Sequence, residues 1–239
     1  METDRYLGKS IIVTGSRRGV GHSIAEYMLA QGGRVFGLSR GEPTITHSSY
    51  THFSLDVGNA KDVQSAFFKI SKETDAVDIV INNAAVLTSQ YALIMPAVNA
   101  QAMVNTNLLG TFFVSREAAK IMKKSKKGGR IINIGSMAAS LEPIGDSIYA
   151  ACKAGVSTLA NVMAKEFGPF GVTCNTLGIT AIDSDMLAQL PREKIDQIIQ
   201  SLPVPRYATI DDILNVINFF ASERSSYITA QTVYLGGIN

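Results

Sequence analysis

The sequence predicts an α/β protein: one doubly wound domain over residues 1–239, with a parallel sheet of about seven strands flanked by helices. Short apolar runs rich in β-branched residues alternate with longer runs of helical spacing. The connections between them are short, and no repeat or low-complexity tract interrupts the chain. This alternation is typical of a parallel sheet that helices cover on both faces.

The first strand is predicted at 10–15, because "SIIVTG" is a continuous apolar run typical of a buried strand. A helix at 20–33 follows and ends at a glycine pair, which is a common stop signal. The other predicted strands are 34–40, 50–57, 77–85, 129–136, 171–179 and 229–237. The other predicted helices are 59–74, 102–127, 147–168 and 210–222.

Composition excludes several classes of protein. The net charge of +2 is too balanced for a protein whose main partner is a nucleic acid. No apolar run reaches the roughly 18 residues of a membrane span, and no signal peptide is visible. Cys152 and Cys174 have no metal-ligand spacing and form no disulfide framework. We therefore expect a cytoplasmic protein without a metal and without a membrane or nucleic-acid partner.

A glycine-rich turn, "TGSRRGVG", joins the first strand to the first helix, with Gly15, Gly19 and Gly21 spaced G-x-x-x-G-x-G. Glycines at such a turn let the backbone approach a phosphate, and the helix N-terminus offers free N–H groups and a positive dipole end. An ordinary glycine-rich turn is the alternative, since one such motif alone is weak evidence.

Polar and small residues follow the later strands, at the edge of the sheet where ligands bind in this architecture. Asp56 and Val57 end the third strand, where the carboxylate either accepts a hydrogen bond from an adenine amine or caps the next helix. "NNAA" (82–85) ends the fourth strand and leaves room beside a flat ligand. Ser136 ends the fifth strand, thirteen residues before Tyr149, and a loop of that length allows the two to face each other.

The stretch "YAACK" places Tyr149 and Lys153 four residues apart, on one face of the predicted helix. A fixed ammonium beside a phenol favours the phenolate, so the pKa of Tyr149 is expected to lie below its usual value of about 10. The pair therefore indicates a tuned acid or base. The alternative is an amphipathic helix with a buried tyrosine and a lysine that extends to solvent.

Taken together, these motifs resemble the short-chain dehydrogenase/reductase family over essentially the whole chain, and 3-oxoacyl-carrier-protein reductases most in length and motif order. The motifs that agree are "TGSRRGVG", "LDV", "NNAA", "NTNLLGTF", "INIGS", "YAACK" and "YITAQTVYLGG". The resemblance implies a Rossmann-type fold and a nicotinamide-dependent oxidoreductase that interconverts a carbonyl and an alcohol.

The resemblance also implies roles for individual residues. Tyr149 is expected to exchange a proton with the substrate oxygen, and Ser136 to orient that oxygen. Lys153 is expected to lower the Tyr149 pKa and bind the nicotinamide ribose, and Asn107 to hold a water in a proton relay. The expected cofactor-binding residues are Gly15, Ser16, Arg17, Arg18, Gly19, Val20, Gly21, Ser39, Arg40, Asp56, Val57, Asn83, Ala84, Ala85, Tyr149, Lys153, Ile179, Ile182 and Ser184.

Members of the family that prefer NAD place an acidic residue at the end of the second strand. Here that strand ends "LSRG", and the first acidic residue after it is Glu42. Arg18 and Arg40 lie near this strand end, and a guanidinium suits a 2′-phosphate. We therefore expect NADPH/NADP+ over NADH, although two solvated arginines are the alternative.

The sequence departs from the family pattern at several positions near the cofactor. The family usually reads Pro-Gly at Ile179-Thr180 and Asn-Asn-Ala-Gly where this chain ends in Ala85. Ser184 replaces a usual threonine, and Ala230 and Gly236 replace the usual glycine and aspartate. The changes at Ile179-Thr180 and Ala230 slightly favour a second hypothesis, in which the chain is a catalytically weak NADPH-binding sensor or scaffold. The intact residues Asn107, Ser136, Tyr149 and Lys153 oppose it, because a pure binding protein needs no proton donor.

Substrate and partners follow less directly. The substrate-determining segments 86–98, 137–148 and 185–205 are mostly apolar, and the last is expected to form a lid. They fit a 3-oxoacyl thioester or another ketone of moderate size, including sugar or steroid-like ketones.

The basic segment "KKSKKGGR" (123–130) is a candidate docking site for an acidic acyl carrier protein, although lysines also suit a helix C-terminus. Helices 102–127 and 147–168 are apolar on more than one face, which predicts a homo-oligomer, a tetramer in our interpretation.

Overall fold

The computed structural model describes residues 4–182 and 192–237 and contains a seven-stranded sheet. Every strand pair is parallel, in the order β3-β2-β1-β4-β5-β6-β7. The strands are β1 (Ser10–Thr14), β2 (Arg34–Ser39), β3 (Tyr50–Ser54), β4 (Ile79–Asn82), β5 (Gly129–Ser136), β6 (Val172–Ile179) and β7 (Thr232–Tyr234). The predicted parallel sheet of seven strands is confirmed.

Helices cover both faces of the sheet, so two apolar clusters form, one on each side. The helices are α1 (Gly19–Ala30), α2 (Ala60–Glu73), α3 (Ala97–Met103), α4 (Gly110–Ser125), α5 (Ala138–Leu141), α6 (Ser147–Phe167), α7 (Arg192–Ser201) and α8 (Ile210–Ala221). The strands β1, β4 and β5 are buried along nearly their whole length, which explains why they read as continuous apolar runs. None of the helices in the described ranges is long and apolar enough to span a membrane.

The structure corrects the predicted helix 102–127. The helical path begins earlier, at Ala97, and α3 and α4 are joined by a wider turn of π-helix at Val104–Leu109. Such a turn adds a residue and often lies at a functional site. Its cause is tertiary, since Asn107 in this turn is held by the backbone of the segment that follows β4.

Strand ends also differ from the predicted ones. The predicted strands 50–57, 77–85 and 229–237 shorten to β3, β4 and β7, because their flanking residues turn away to form loops at the sheet edge. Asn59, rather than Asp56, caps α2: its side chain accepts hydrogen bonds from the N–H groups of Lys61 and Asp62. The helix-cap alternative for Asp56 is therefore wrong.

Candidate active site

A cleft of about 550 Å³ lies along the carboxyl ends of the strands. In the sheet, β2 and β3 lie on one side of β1, and β4 to β7 lie on the other side. In parallel sheets this change of direction opens a crevice for a ligand. The glycine loop after β1 and the loops after β2, β4, β5 and β6 all contribute residues to its wall.

The glycine loop is shaped for close approach of a ligand. Gly15 and Gly19 have φ of +67° and +57°, a backbone conformation that residues with a side chain rarely adopt. No atom lies within 4 Å of the position that a Cβ on Gly19 would take. Arg18 occupies the N-cap position of α1, and no described side chain caps the first turn. The free N–H groups and the positive end of the helix dipole therefore face the cleft, as a bound phosphate requires.

Gly21 serves the loop in another way, through packing. A Cβ there would come within 2.3 Å of both the Gly15 carbonyl oxygen and Asn83 Nδ2, so the loop closes only around a hydrogen. We expect Gly21→Ala to weaken cofactor binding and to lower the free energy of unfolding by about 1–3 kcal/mol, the usual cost of overpacking. Denaturant unfolding and nucleotide titration measure the two effects.

Gly168→Ala is the matched control for this prediction. Its Cβ would meet nothing within 4 Å and its φ is −51°, so it should leave both quantities unchanged. A Gly21→Ala protein that unfolds and binds nucleotide like the unsubstituted chain would show that the loop tolerates a methyl group.

The turn after β4 is clamped to β1. The Thr14 hydroxyl lies 2.9 Å from the backbone nitrogens of both Asn83 and Ala84 and accepts from them, and Asn83 Nδ2 donates to the Thr14 carbonyl at 3.0 Å. Asn83, Ala84 and Ala85 thus line the cleft as predicted from "NNAA", with the Asn83 side chain holding the loop. Thr14 is not among the residues predicted from the sequence, because its role depends on contacts with a neighbouring strand.

Four predicted residues lie where the glycine loop meets the end of β2. Arg18 and Arg40 are exposed and line the cleft; Arg17 also lines it and donates from Nε to the Glu42 carbonyl oxygen at 3.2 Å. Ser39 is 9% exposed and lines the cleft, and its hydroxyl has no hydrogen-bond partner among the described residues. An orphaned buried hydroxyl beside two guanidinium groups fits the ribose end of a bound dinucleotide.

Ser16, by contrast, does not line the cleft. Its hydroxyl is fully buried and lies 3.0 Å from the Tyr50 hydroxyl, which in turn lies 3.3 Å from His52 Nδ1. His52 Nε2 lies 2.9 Å from the Gly41 carbonyl oxygen. The chain of contacts ties the glycine loop to the loop after β2, so Ser16 supports the loop from behind.

Asp56 and Val57 both line the cleft after β3, as predicted. Asp56 is exposed, and its Oδ1 accepts a hydrogen bond from the Gly58 N–H at 2.9 Å. Val57 is buried and packs where a Cβ on Gly110 would clash. That Asp56 accepts a hydrogen bond from an adenine amine stays a prediction.

Tyr149, Lys153 and Ser136 lie together in the opposite half of the cleft. All three line it, and none is more than 9% exposed. Lys153 Nζ donates to the Ile134 carbonyl oxygen at 2.7 Å and lies 5.8 Å from the Tyr149 ring centre. The Ser136 hydroxyl accepts from the Ala138 N–H at 3.1 Å, which holds the serine at the start of α5.

The pKa values in this half of the cleft differ from the prediction. Burial raises the pKa of Tyr149 to about 12; a side-chain hydrogen bond with Ser136 lowers it, and the charge of Asp146 raises it. Burial also lowers the pKa of Lys153 to about 8. The expectation of a Tyr149 pKa below 10 is therefore wrong for the protein without nucleotide, because burial raises the pKa of the phenol more than the Ser136 hydrogen bond lowers it.

The buried lysine gives an expected pH dependence of stability. Between pH 8 and 10 the unfolded chain keeps the Lys153 proton and the folded chain has lost it, so the free energy of unfolding should rise with pH. The rise should reach about 2 kcal/mol and reverse above pH 10, where Tyr149 ionises only in the unfolded chain. Denaturant unfolding as a function of pH measures it.

Lys153→Met is the comparison for this prediction, since it removes the titrating group and retains the length of the side chain. The difference between the two stability profiles isolates Lys153 from the other lysines. An identical rise in both proteins would mean that Lys153 titrates normally in the folded state.

Asn107 is placed behind the cleft. Its amide makes two bonds to the backbone of Val86, accepting from the N–H at 2.8 Å and donating to the carbonyl at 2.9 Å. Asn107 is 1% exposed. The side chain is thus committed to fixing the loop after β4, which leaves the backbone of the π-helical turn as the part of Asn107 that can hold a water.

The loop after β6 forms the last part of the wall. Ile179, Thr180 and Ile182 line the cleft, and Thr180 is 6% exposed. The departure from Pro-Gly is thus accommodated, and a Cβ on Gly236 would come within 3.1 Å of the Thr180 methyl group. Ala230 adopts a φ of +57°, the conformation that suits the glycine expected there. Ser184 lies outside the described residues, as do residues 185–191 of the predicted lid.

Comparison with known proteins places this geometry in a family. The family model described as enoyl-(acyl carrier protein) reductase matches residues 15–238. The 3-oxoacyl-[acyl-carrier-protein] reductase FabG of Escherichia coli (strain K12) is 31% identical over 238 residues, 97% of each chain. The chain belongs to the short-chain dehydrogenase/reductase family. This enzyme is therefore an NAD(P)-dependent oxidoreductase that acts on CH–OH or C=O groups.

Other relatives of this reductase extend the comparison. The 3-oxoacyl-[acyl-carrier-protein] reductase MabA of Mycobacterium bovis is 31% identical, over 97% of this chain and 93% of its own. Among solved structures, a putative gluconate dehydrogenase from Agrobacterium tumefaciens has a TM-score of 0.89 at 26% identity, covering 99% of this chain and 97% of its own. An aldohexose dehydrogenase from Thermoplasma acidophilum has a TM-score of 0.88 at 26% identity, covering 99% and 96%.

The reductase also has a cleft residue that sequence reasoning missed. Asp146 lines the cleft and is 5% exposed. A signal was present in the sequence, since Asp146 lies three residues before Tyr149 and so shares its helix face. Within the described ranges, no cluster of histidine, cysteine or acidic residues is arranged to hold a metal.

Proposed function

We propose that this enzyme reduces a ketone to an alcohol with NADPH, or catalyses the reverse reaction, with Tyr149 as the proton donor and acceptor. The observation that carries the proposal is the meeting of Tyr149, Lys153 and Ser136 in one buried wall of the cleft. A binding protein needs no buried phenol beside a buried lysine. The sensor hypothesis finds less support, since Ile179, Thr180 and Ala230 fit without closing the cleft.

The proposed mechanism assigns one task to each residue. Bound NADPH supplies a hydride to the carbonyl carbon. Ser136 and Tyr149 direct hydroxyl groups toward the same oxygen, where negative charge develops in the transition state. In the direction of reduction, Tyr149 donates its proton to this oxygen. The raised pKa of Tyr149 keeps the phenol protonated before that step. Lys153 donates to the Ile134 carbonyl one helical turn from Tyr149, and its side chain would bind the nicotinamide ribose of a bound cofactor.

The preference for NADPH rests on the end of β2. Arg18 and Arg40 supply positive charge, Ser39 supplies a buried hydroxyl with no other described partner, and no acid repels a phosphate before Glu42. A guanidinium makes charge-assisted, often bidentate bonds to a phosphate. NADH lacks the 2′-phosphate, so it does not gain these charge-assisted bonds.

We propose a 3-oxoacyl thioester as the first compound to test, because the relatives FabG of Escherichia coli and MabA of Mycobacterium bovis are named as 3-oxoacyl-[acyl-carrier-protein] reductases. The hypothesis that an acyl carrier protein docks at residues 123–130 has to account for the distance from this segment to Ser136. This segment adjoins the amino end of β5, and the eight residues of that strand separate it from Ser136 by about 23 Å. An acyl carrier protein docked there needs an arm of that length or the cleft of a neighbouring copy.

A homotetramer with a cytoplasmic location completes the proposal. Leu109 before α4 is 37% exposed and Val162 on α6 is 48% exposed, which supports burial against another copy. Both cysteines are free and buried, as suits a reducing compartment. We expect light scattering at micromolar concentration to give four times the mass of the chain. A monomeric mass would contradict the assembly.

NADPH oxidation in the presence of a carbonyl panel tests the proposed function. The panel should include an acetoacetyl thioester, free and on an acyl carrier protein, together with sugar ketones and simple ketones. Consumption of NADPH with at least one compound supports an oxidoreductase. Tight NADPH binding without consumption on any of them would favour the sensor hypothesis.

A further inference from the structure

Asp146 brings a carboxylate into the substrate half of the cleft. It lies at the start of α6, and Asp146, Tyr149 and Lys153 fall on one face of the helix at spacings of three and four residues. All three line the cleft, and all three are at least nine-tenths buried. The negative charge of Asp146 is close enough to Tyr149 to raise the pKa of its phenol.

The position of Asp146 suggests a helix cap, but its side chain does not act as one. Aspartate at an N-cap usually accepts a hydrogen bond from the second or third N–H of the helix. Asp146 occupies the N-cap of α6, and its side chain makes no such bond; its backbone carbonyl accepts the first helical bond, from the Ala150 N–H at 2.7 Å. The carboxylate therefore lines the cleft without capping the helix.

The Asp146 N–H donates to the Pro143 carbonyl at 3.1 Å, so the start of α6 is tied to the loop before it. The cleft wall also contains the apolar residues Val86, Leu87, Met137 and Ala138. A carboxylate has about four lone-pair sites, so it can accept hydrogen bonds from a ligand in addition to those it makes within the protein. The positive end of the α6 dipole stabilises the negative charge at this position.

We propose that Asp146 is a substrate-specificity residue, whose carboxylate accepts a hydrogen bond from a hydroxyl group that the substrate carries beside its reacting carbon. The inference rests on the proposed function, because it assumes that the reacting carbonyl lies at Tyr149. Asp146 lies one helical turn from Tyr149 and lines the same cleft, so we place the hydroxyl on a carbon next to the carbonyl. On this inference the substrate class is a hydroxyketone, and the 3-oxoacyl thioester of the carbonyl panel, like a plain ketone, is the poorer substrate.

A matched pair of ketones tests this inference. Acetoin carries a hydroxyl beside its carbonyl, and butanone has the same carbon chain without it. We expect a higher kcat/KM for acetoin, and we expect Asp146→Ala to lower it by about 10- to 100-fold, the usual range for a hydrogen bond to a charged group. Asp146→Asn keeps an oxygen acceptor without the charge, so its loss should be intermediate. The kcat/KM for butanone should not fall in either variant.

Two controls separate specificity from folding. Ser147→Ala changes the exposed neighbour of Asp146 and should leave both ketones unaffected. NADPH titration and thermal unfolding should show that the Asp146 variants remain folded and bind nucleotide. A general structural defect would lower both kcat/KM values together, which would overturn the inference.

Other outcomes also decide the question. Equal kcat/KM for acetoin and butanone, or a preference for acetoin that survives in Asp146→Ala, would overturn the role of Asp146 and leave the proposed function standing. Reduction of neither ketone, while a panel compound without a neighbouring hydroxyl is reduced, would do the same. No NADPH consumption with any carbonyl compound would instead overturn the proposed function, and this inference with it.

Discussion

Tyr149→Phe is expected to lower turnover by about 10²–10⁴-fold, the usual scale for loss of a positioned acid. The substitution removes only the hydroxyl, and the ring remains to fill its place in the cluster with Met103 and Ala138. Folding and NADPH binding should therefore be unchanged. Steady-state kinetics on the best carbonyl of the panel, together with nucleotide titration, measure the two effects.

Ser136→Ala tests the same mechanism from the second hydroxyl. It should lower the rate and retain nucleotide binding, because a bond to the developing oxyanion is strongest in the transition state. The double variant should lose far less than the product of the single losses, since both residues act on one oxygen. A Tyr149→Phe enzyme with near-normal turnover would refute the mechanism.

The second large effect is expected for the nucleotide. Replacing both Arg18 and Arg40 by alanine should weaken NADPH binding by about 10²–10⁴-fold, since two charge-assisted contacts to the 2′-phosphate are lost. NADH binding should be nearly unchanged, because NADH has no phosphate at that position. Titration of each variant with both nucleotides measures the selectivity.

Arg224→Ala is the matched control for this pair, because Arg224 is exposed in the turn after α8 and does not line the cleft. It also removes one positive charge, so it measures any general effect of net charge. Equal losses for NADPH and NADH in the double variant would show that Arg18 and Arg40 do not recognise the 2′-phosphate.

The sequence predicted the parts of the site that depend on local spacing. Short apolar runs that alternate with helical stretches identified the seven strands, and glycine spacing identified the loop before α1. The four-residue separation of Tyr149 and Lys153 predicted that they share one helix face, and both line the cleft. Such patterns are readable because helix and strand periodicities act within a few residues of chain.

The tertiary structure decided what depends on contacts between distant segments and on burial. The π-helical turn and the inward side chain of Asn107 follow from its two bonds to Val86, 21 residues earlier. Ser16 turns away from the cleft because Tyr50 lies behind it, 34 residues later.

Electrostatics of the site belong to this second group. The sequence alone predicted a low pKa for Tyr149 from the nearby lysine, whereas the folded protein raises it to about 12. Spacing reports which charges are neighbours, but the cost of removing an ion from water depends on what packs around it. The same holds for Asp146. An aspartate at the start of a helix suits a helix cap, whereas its burial in the cleft depends on tertiary packing.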